Sequence, residues 1–197
     1  KHGRRYLATS SDGEKLFVVV FDRDLEGAGI LPRWWRSLRL RDSEALGGWS
    51  MREAVERSSL MALAATNAGA PVPELHSVRR IGDDASVLVY AWIEGKSGTE
   101  LIELNKKVSD KTLRSAWKAL KQLHDSGIAH RGIAAEHLLI DKSGAVTLVH
   151  ITSGTVAMSD LQARIDIADM AIALAELSSA EDAIRIGEKV LGKAQIM

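Results

Sequence analysis

The chain has 197 residues, with 26 Lys and Arg against 26 Asp and Glu, and contains no cysteine. Zero formal charge supplies no global field for nucleic acid or an anionic membrane, and the missing thiols exclude disulfides, thiolate zinc sites and a cysteine nucleophile. At 46% apolar and 26% charged residues the composition is that of an ordinary globular domain, and a cytoplasmic setting is expected.

Residues 4–21 predict a β-hairpin, with arms at 4–9 and 15–21 and the turn at Ser11-Asp12-Gly13. The apolar run Phe17-Val18-Val19-Val20-Phe21 predicts a strand covered on both faces. Pro32 opens a short predicted helix at residues 33–41 that carries Arg33, Trp34, Trp35, Arg36 and Arg39. Ser50 and Glu53 form a candidate capping box for a helix running to about Asn67, which stops at Ala68-Gly69-Ala70-Pro71. Strands are expected at residues 75–80 and 86–92, flanking the turn Gly82-Asp83-Asp84, and residues 96–108 read as a polar connection.

A helix is expected from Asp110 to about Asp125, with Leu113, Trp117, Leu120 and Leu123 on one face. Two short strands follow at 137–140 and 145–149, joined by Asp141-Lys142-Ser143-Gly144, and then helices at 159–177 and 180–191. Leu161, Ile165, Ala168, Ile172 and Leu174 are the expected core positions of the first of these. The order of elements gives an α+β chain of two lobes: a small N-lobe over residues 1–95 and a mainly helical C-lobe over residues 96–197. No segment approaches the roughly 18 consecutive apolar residues of a membrane span. Without a signal peptide or an initiator Met, the expectation is a piece of a longer protein.

The informative stretch is residues 123–140, where a helix ending in Leu123-His124 is followed by Gly127-Ile128, His130-Arg131 and a strand pair. This order resembles the catalytic loop of the protein-kinase-like fold, with its H-R-D, an Asn five residues after the Asp, and a hairpin that delivers D-F-G. Over nearly the whole chain the similarity is greatest to small aminoglycoside-phosphotransferase-type kinase domains. Some of these are fused, in bacteria, to membrane proteins of the lysylphosphatidylglycerol-synthase or flippase type.

The resemblance implies a two-lobed kinase-like fold with a reduced C-lobe, and it assigns roles residue by residue. The catalytic Asp falls on Gly132, the metal-binding Asn on His137 and the D-F-G Asp on His150. The phosphate-pairing Lys aligns with Val19 and its Glu partner with Ser58, although Glu56 is close in register. Only Gly3 stands where a Gly-rich phosphate loop belongs. Mg²⁺ prefers oxygen ligands, so imidazoles at both metal positions remove the chemistry on which phosphoryl transfer depends. His130, Arg131 and Asp166 match the family's structural residues, which brace the catalytic loop.

The expectation is therefore a degenerate, inactive kinase domain without a cofactor. It would act as a regulatory or scaffolding cytoplasmic module, docking a protein partner or the membrane part of its own parent chain. A Zn²⁺ or Ni²⁺ site from His137, His150 and Glu136 is conceivable, but two imidazoles and a doubtful third ligand favour ordinary cleft-lining side chains. Arg33, Trp34, Trp35 and Arg36 offer a membrane-surface contact, set against packing of the tryptophans on the small lobe. Three rivals remain. One is an active phosphotransferase using Asp141, Asp160 or Glu136; the second is a metal-independent nucleotide sensor built on the hinge Val89-Tyr90-Ala91-Trp92; the third is a plain structural domain with no cleft function.

Overall fold

The computed structural model describes residues 4–22, 51–82 and 85–196. The expected capping residue Ser50, the helix at 33–41, the turn residues Asp83 and Asp84, and Gly3 lie outside the described residues. The chain mixes helices with antiparallel sheets, an α+β architecture, and divides into two compact units. One contains the described residues up to Ser59 together with Leu75–Trp92; the other contains Leu60–Glu74 and the chain from Ile93 onward. The helix α1 (Met51–Asn67) contributes to both.

The first unit is built on a four-stranded antiparallel sheet in the order β1-β2-β4-β3. Its strands are β1 (Arg4–Thr9), β2 (Lys15–Asp22), β3 (Leu75–Ile81) and β4 (Ala85–Ala91). Ser10 closes the first hairpin: its hydroxyl accepts from the backbone N–H of Asp12 and Glu14, while Gly13 takes the positive φ of 83° that the turn requires. Strand β2 is central, and its run from Leu16 to Val20 is half-buried at every position before the buried Phe21, as its unbroken apolar pattern predicts. On β4 burial alternates, with Ser86, Leu88 and Tyr90 inward.

The second unit is mainly helical. It comprises β5 (Lys96–Ser97), α2 (Gly98–Glu103), α3 (Asp110–Asp125), β6 (Ile128–Ala129), β7 (Leu138–Ile140), β8 (Val146–Leu148), β9 (Thr155–Val156), α4 (Asp160–Leu177), α5 (Ala180–Leu191) and α6 (Lys193–Ile196). The short strands form the sheets β5-β7-β8 and β6-β9. Leu113, Trp117, Leu120 and Leu123 are wholly buried on one face of α3, as their spacing predicts. Trp117 ties α3 to α5, its indole N–H donating to the Ala183 carbonyl at 3.0 Å.

Two expectations fail. Residues 96–108 are not a plain connection: Ser97 and Glu100 cap each other reciprocally and start α2. On α4 the core face is also misassigned. Leu161, Ile165, Ala168 and Ile172 are exposed, and of the five expected core positions only Leu174 is buried. The inward face is Asp166, Ile167, Met170, Ala173, Leu174 and Leu177. Both faces of this helix are apolar, so periodicity alone could not choose between them. The choice is made by Asp166, whose backbone partners lie inside.

Candidate functional site

The site is assembled within the second unit from four pieces of chain. The first is the loop after β6, where three consecutive residues change direction: His130 is buried, Arg131 has φ 59° and Gly132 has φ 139°. Ile133 and Ala135 are buried and anchor the loop, and a single 3-10 turn at Ala135–His137 leads into β7. The hairpin β7–β8 is closed by Asp141, whose carboxylate accepts from the N–H of Ser143 and Ala145 at 2.8 and 2.9 Å. His150 follows, in the left-handed region at φ 65°, and opens a second 3-10 turn, Ile151–Ser153. Helix α4 supplies Asp166 from below.

Asp166 is fully buried, and its two oxygens accept from the backbone N–H of His130 at 2.6 Å and of Arg131 at 2.8 Å. His124, at the end of α3, brings Nε2 to 3.3 Å from the same carboxylate. A buried carboxylate accepting two backbone N–H groups holds the turn with charge-assisted bonds, each stronger than a neutral one. Without it, two buried donors would be unsatisfied at a cost of about 1–3 kcal/mol each.

Three imidazoles line up above this turn. The ring centroids of His130 and His137 are 5.8 Å apart, and those of His137 and His150 5.3 Å apart. His130 Nε2 lies 3.1 Å from the Val149 carbonyl, and His137 Nδ1 lies 2.7 Å from the Gly132 carbonyl. A carbonyl only accepts, so each ring carries its proton on the nitrogen named. The other nitrogen of His130, Nδ1, is buried without a hydrogen-bond partner. Burial pushes the His130 pKa down to about 4, against the opposing pull of the Val149 carbonyl and the Asp166 charge. The ring is neutral at pH 7. His137 Nε2 lies 3.4 Å from the Glu136 carboxylate, which is itself mostly solvent-facing.

These positions carry no side-chain oxygen suited to a hard cation. Among the described residues, no group of three or more His, Cys, Asp or Glu side chains converges on a point where a metal ion could be held. Gly132 is exposed, and a Cβ there would meet nothing, so space for a side chain exists. The obstacle is the backbone: φ of 139° is a conformation that a residue with an L side chain rarely adopts. The loop is thus shaped around glycine and has not merely lost a carboxylate.

The structure brings His124, His130, His137, His150 and Asp166 together, with the Arg131 backbone. Val19, Ser58 and the hinge residues belong to the first unit. Val19 is on β2 in register with Arg5 on β1 and Leu88 on β4. Ser58 is buried, its hydroxyl donating to the Ala54 carbonyl of its own helix at 2.7 Å. The competing register at Glu56 is occupied differently, since that carboxylate pairs with Arg52 at 2.7 Å. Val89, Tyr90 and Ala91 are in β4; Tyr90 is buried with its ring 6.4 Å from Phe17, and Trp92 is exposed. Of the alternative carboxylates, Asp141 is held below the usual range by its turn partner Ser143 and then by the Ala145 N–H. Asp160 is the first residue of α4.

The role of His124 was hidden from the sequence, where it is only one of four histidines within 27 residues. Its position in the last turn of a helix that ends beside Asp166 was the available signal. Comparison with protein-family models and with curated proteins finds no match for this chain.

Proposed function

We propose that the chain is a pseudokinase-type domain. In this reading it has a two-lobed, aminoglycoside-phosphotransferase-like fold that does not transfer phosphate and works as a regulatory or scaffolding module. The observation that carries this is the division of labour around one turn. Asp166 grips the backbone of His130 and Arg131, while Gly132, His137 and His150 occupy the positions where the resemblance calls for carboxylate and amide oxygens. Phosphoryl transfer needs metal-neutralised phosphates and a group to orient the attacking oxygen. Two imidazoles and a glycine supply neither. A loop braced through its backbone supports a role in presenting surfaces, to a protein partner or to the membrane part of a larger chain. The setting on the cytoplasmic face of a membrane rests on the family resemblance, and no described helix is long and apolar enough to cross a membrane.

The test is a single-turnover assay with γ-labelled ATP and Mg²⁺ or Mn²⁺, at enzyme concentrations above that of nucleotide. No label should leave ATP faster than in buffer, and the His137→Ala and His150→Ala variants should be indistinguishable from the parent. Metal-dependent turnover that either substitution abolishes would make the domain an enzyme.

A further inference from the structure

Helix α4 carries an apolar seam that the described residues of its unit leave exposed. Leu161 is 68% exposed, Ile165 47% and Ile172 62%, and Ala168 between them is exposed as well. With the half-buried Ala175 these residues recur at alternating steps of four and three, the heptad pattern of a two-stranded coiled coil. The opposite face of the same helix is buried through Ile167, Met170, Leu174 and Leu177. A helix that is apolar on both faces belongs in an interior. The described residues of its own unit supply that interior on one side only.

The residues bordering the seam identify what covers the other side. Arg164 flanks it on one edge; Gln162, Asp169 and Glu176 flank it on the other. In a parallel, in-register pair, each copy's basic edge faces the acidic edge of its partner, so Arg164 meets the second copy's Asp169 twice by symmetry. An antiparallel pair centred on Ala168 sets Asp169 against its own counterpart and Arg164 against no acid. Asp169 has use for a cation, because burial and the nearby Asp166 raise its carboxyl above the usual range. We infer that the outer face of α4 is a self-association surface, on which two copies of this chain pair their α4 helices in parallel through Leu161, Ile165, Ala168 and Ile172.

Two heptads cover less than the roughly 800 Å² per partner of a standard interface, so the association should be weak and reversible. Sedimentation equilibrium of the chain from about 10 μM to 1 mM should show the average mass rising toward twice the monomer. Ile165→Glu should hold the mass at one copy while the chain still melts cooperatively in dilute solution, since that side chain lies outside the buried core and is 47% exposed. Arg164→Asp should weaken the dimer, and adding Asp169→Arg should restore it. Orientation has its own readout, because the chain contains no cysteine. Leu161→Cys should form an intermolecular disulfide on mild oxidation only if the helices are parallel and in register. A chain that stays monomeric throughout overturns the inference. So does a dimer that survives Ile165→Glu or fails to cross-link through Leu161→Cys. Sedimentation with anionic vesicles that Ile165→Glu abolishes, in a chain that never dimerises, would assign the seam to lipid instead.

Discussion

At the scale of single residues, the site is organised by two buried polar groups that face each other across the loop backbone. Asp166 accepts from two backbone N–H groups; His130 is neutral, with one nitrogen bonded and the other orphaned. The His130 pKa is depressed from its ordinary 6.5 to about 4. Between those values the unfolded chain binds a proton that the folded chain refuses, so stability rises with pH across that interval. The contribution is fully present above about pH 6.5 and is lost as pH falls toward 4. Its size is on the order of 3 kcal/mol. Chemical denaturation at pH 7.5 and pH 4.5 should show this loss in the parent chain, and His130→Gln should flatten it, leaving only the slope of the surface carboxylates. An unchanged pH dependence in the variant would mean that His130 already accepts a proton in the fold. None of this was legible in the sequence, where His130 is simply half of a His-Arg pair. Asp166 was expected to brace the loop, but through the family resemblance rather than through any local pattern.

At the scale of elements, the helices of the second unit are held by close contacts that demand glycine as much as by apolar stripes. Gly187 in α5 lies against the Trp117 ring of α3, and a Cβ there would come within 2.9 Å of the indole and of the Ile196 side chain. Two effects compete. Alanine is favoured over glycine inside a helix by about 1 kcal/mol. Overpacking against a wholly buried ring costs about 1–3 kcal/mol, and the Trp117 hydrogen bond to Ala183 restricts its retreat. Overpacking should win, so Gly187→Ala is expected to lower the melting temperature by several degrees. A variant that melts at or above the parent would show that α5 can slide on α3. Element existence was mostly readable: α3 and α5 begin and end where caps and periodicity place them, and both hairpins were marked by their turn residues. The failures have physical causes. The Ser97–Glu100 capping box was present in the sequence but sat in a polar stretch with too short an apolar pattern to suggest a helix. The strands β6 and β9 are two residues each, pairing Ile128 with Val156 and Ala129 with Thr155, and no local signal predicts such a bridge.

At the scale of the whole molecule, the α+β architecture followed from the order of elements, and the two units differ from a simple cut at residue 95. Residues 60–74 join the C-terminal unit because Met61, Ala65 and Ala70 pack into its core. A linear boundary cannot express an element shared by two units, and α1 is such an element. Chemistry was more legible than packing. The family resemblance placed His137 opposite His150, and the rings are neighbours at 5.3 Å. The backbone at Gly132 was not foreseeable: its φ of 139° disfavours any residue with a side chain there, so a single replacement would not restore a carboxylate in an unstrained loop.

Thermal melting of the chain with ATP, with and without Mg²⁺ or Mn²⁺, tests most directly whether this site has lost its chemistry. A ligand at a hundredfold excess over its dissociation constant stabilises a fold by about 2.7 kcal/mol, a shift of several degrees that a melt resolves easily. If the proposed reading holds, with imidazoles where the resemblance puts the metal ligands and Val19 where it puts a lysine, the melting temperature should not move with nucleotide, and the metal should make no difference. A shift that appears only when ATP and metal are present together, and disappears in His150→Ala, would contradict the inactive reading and mark the imidazole cluster as a working metal site.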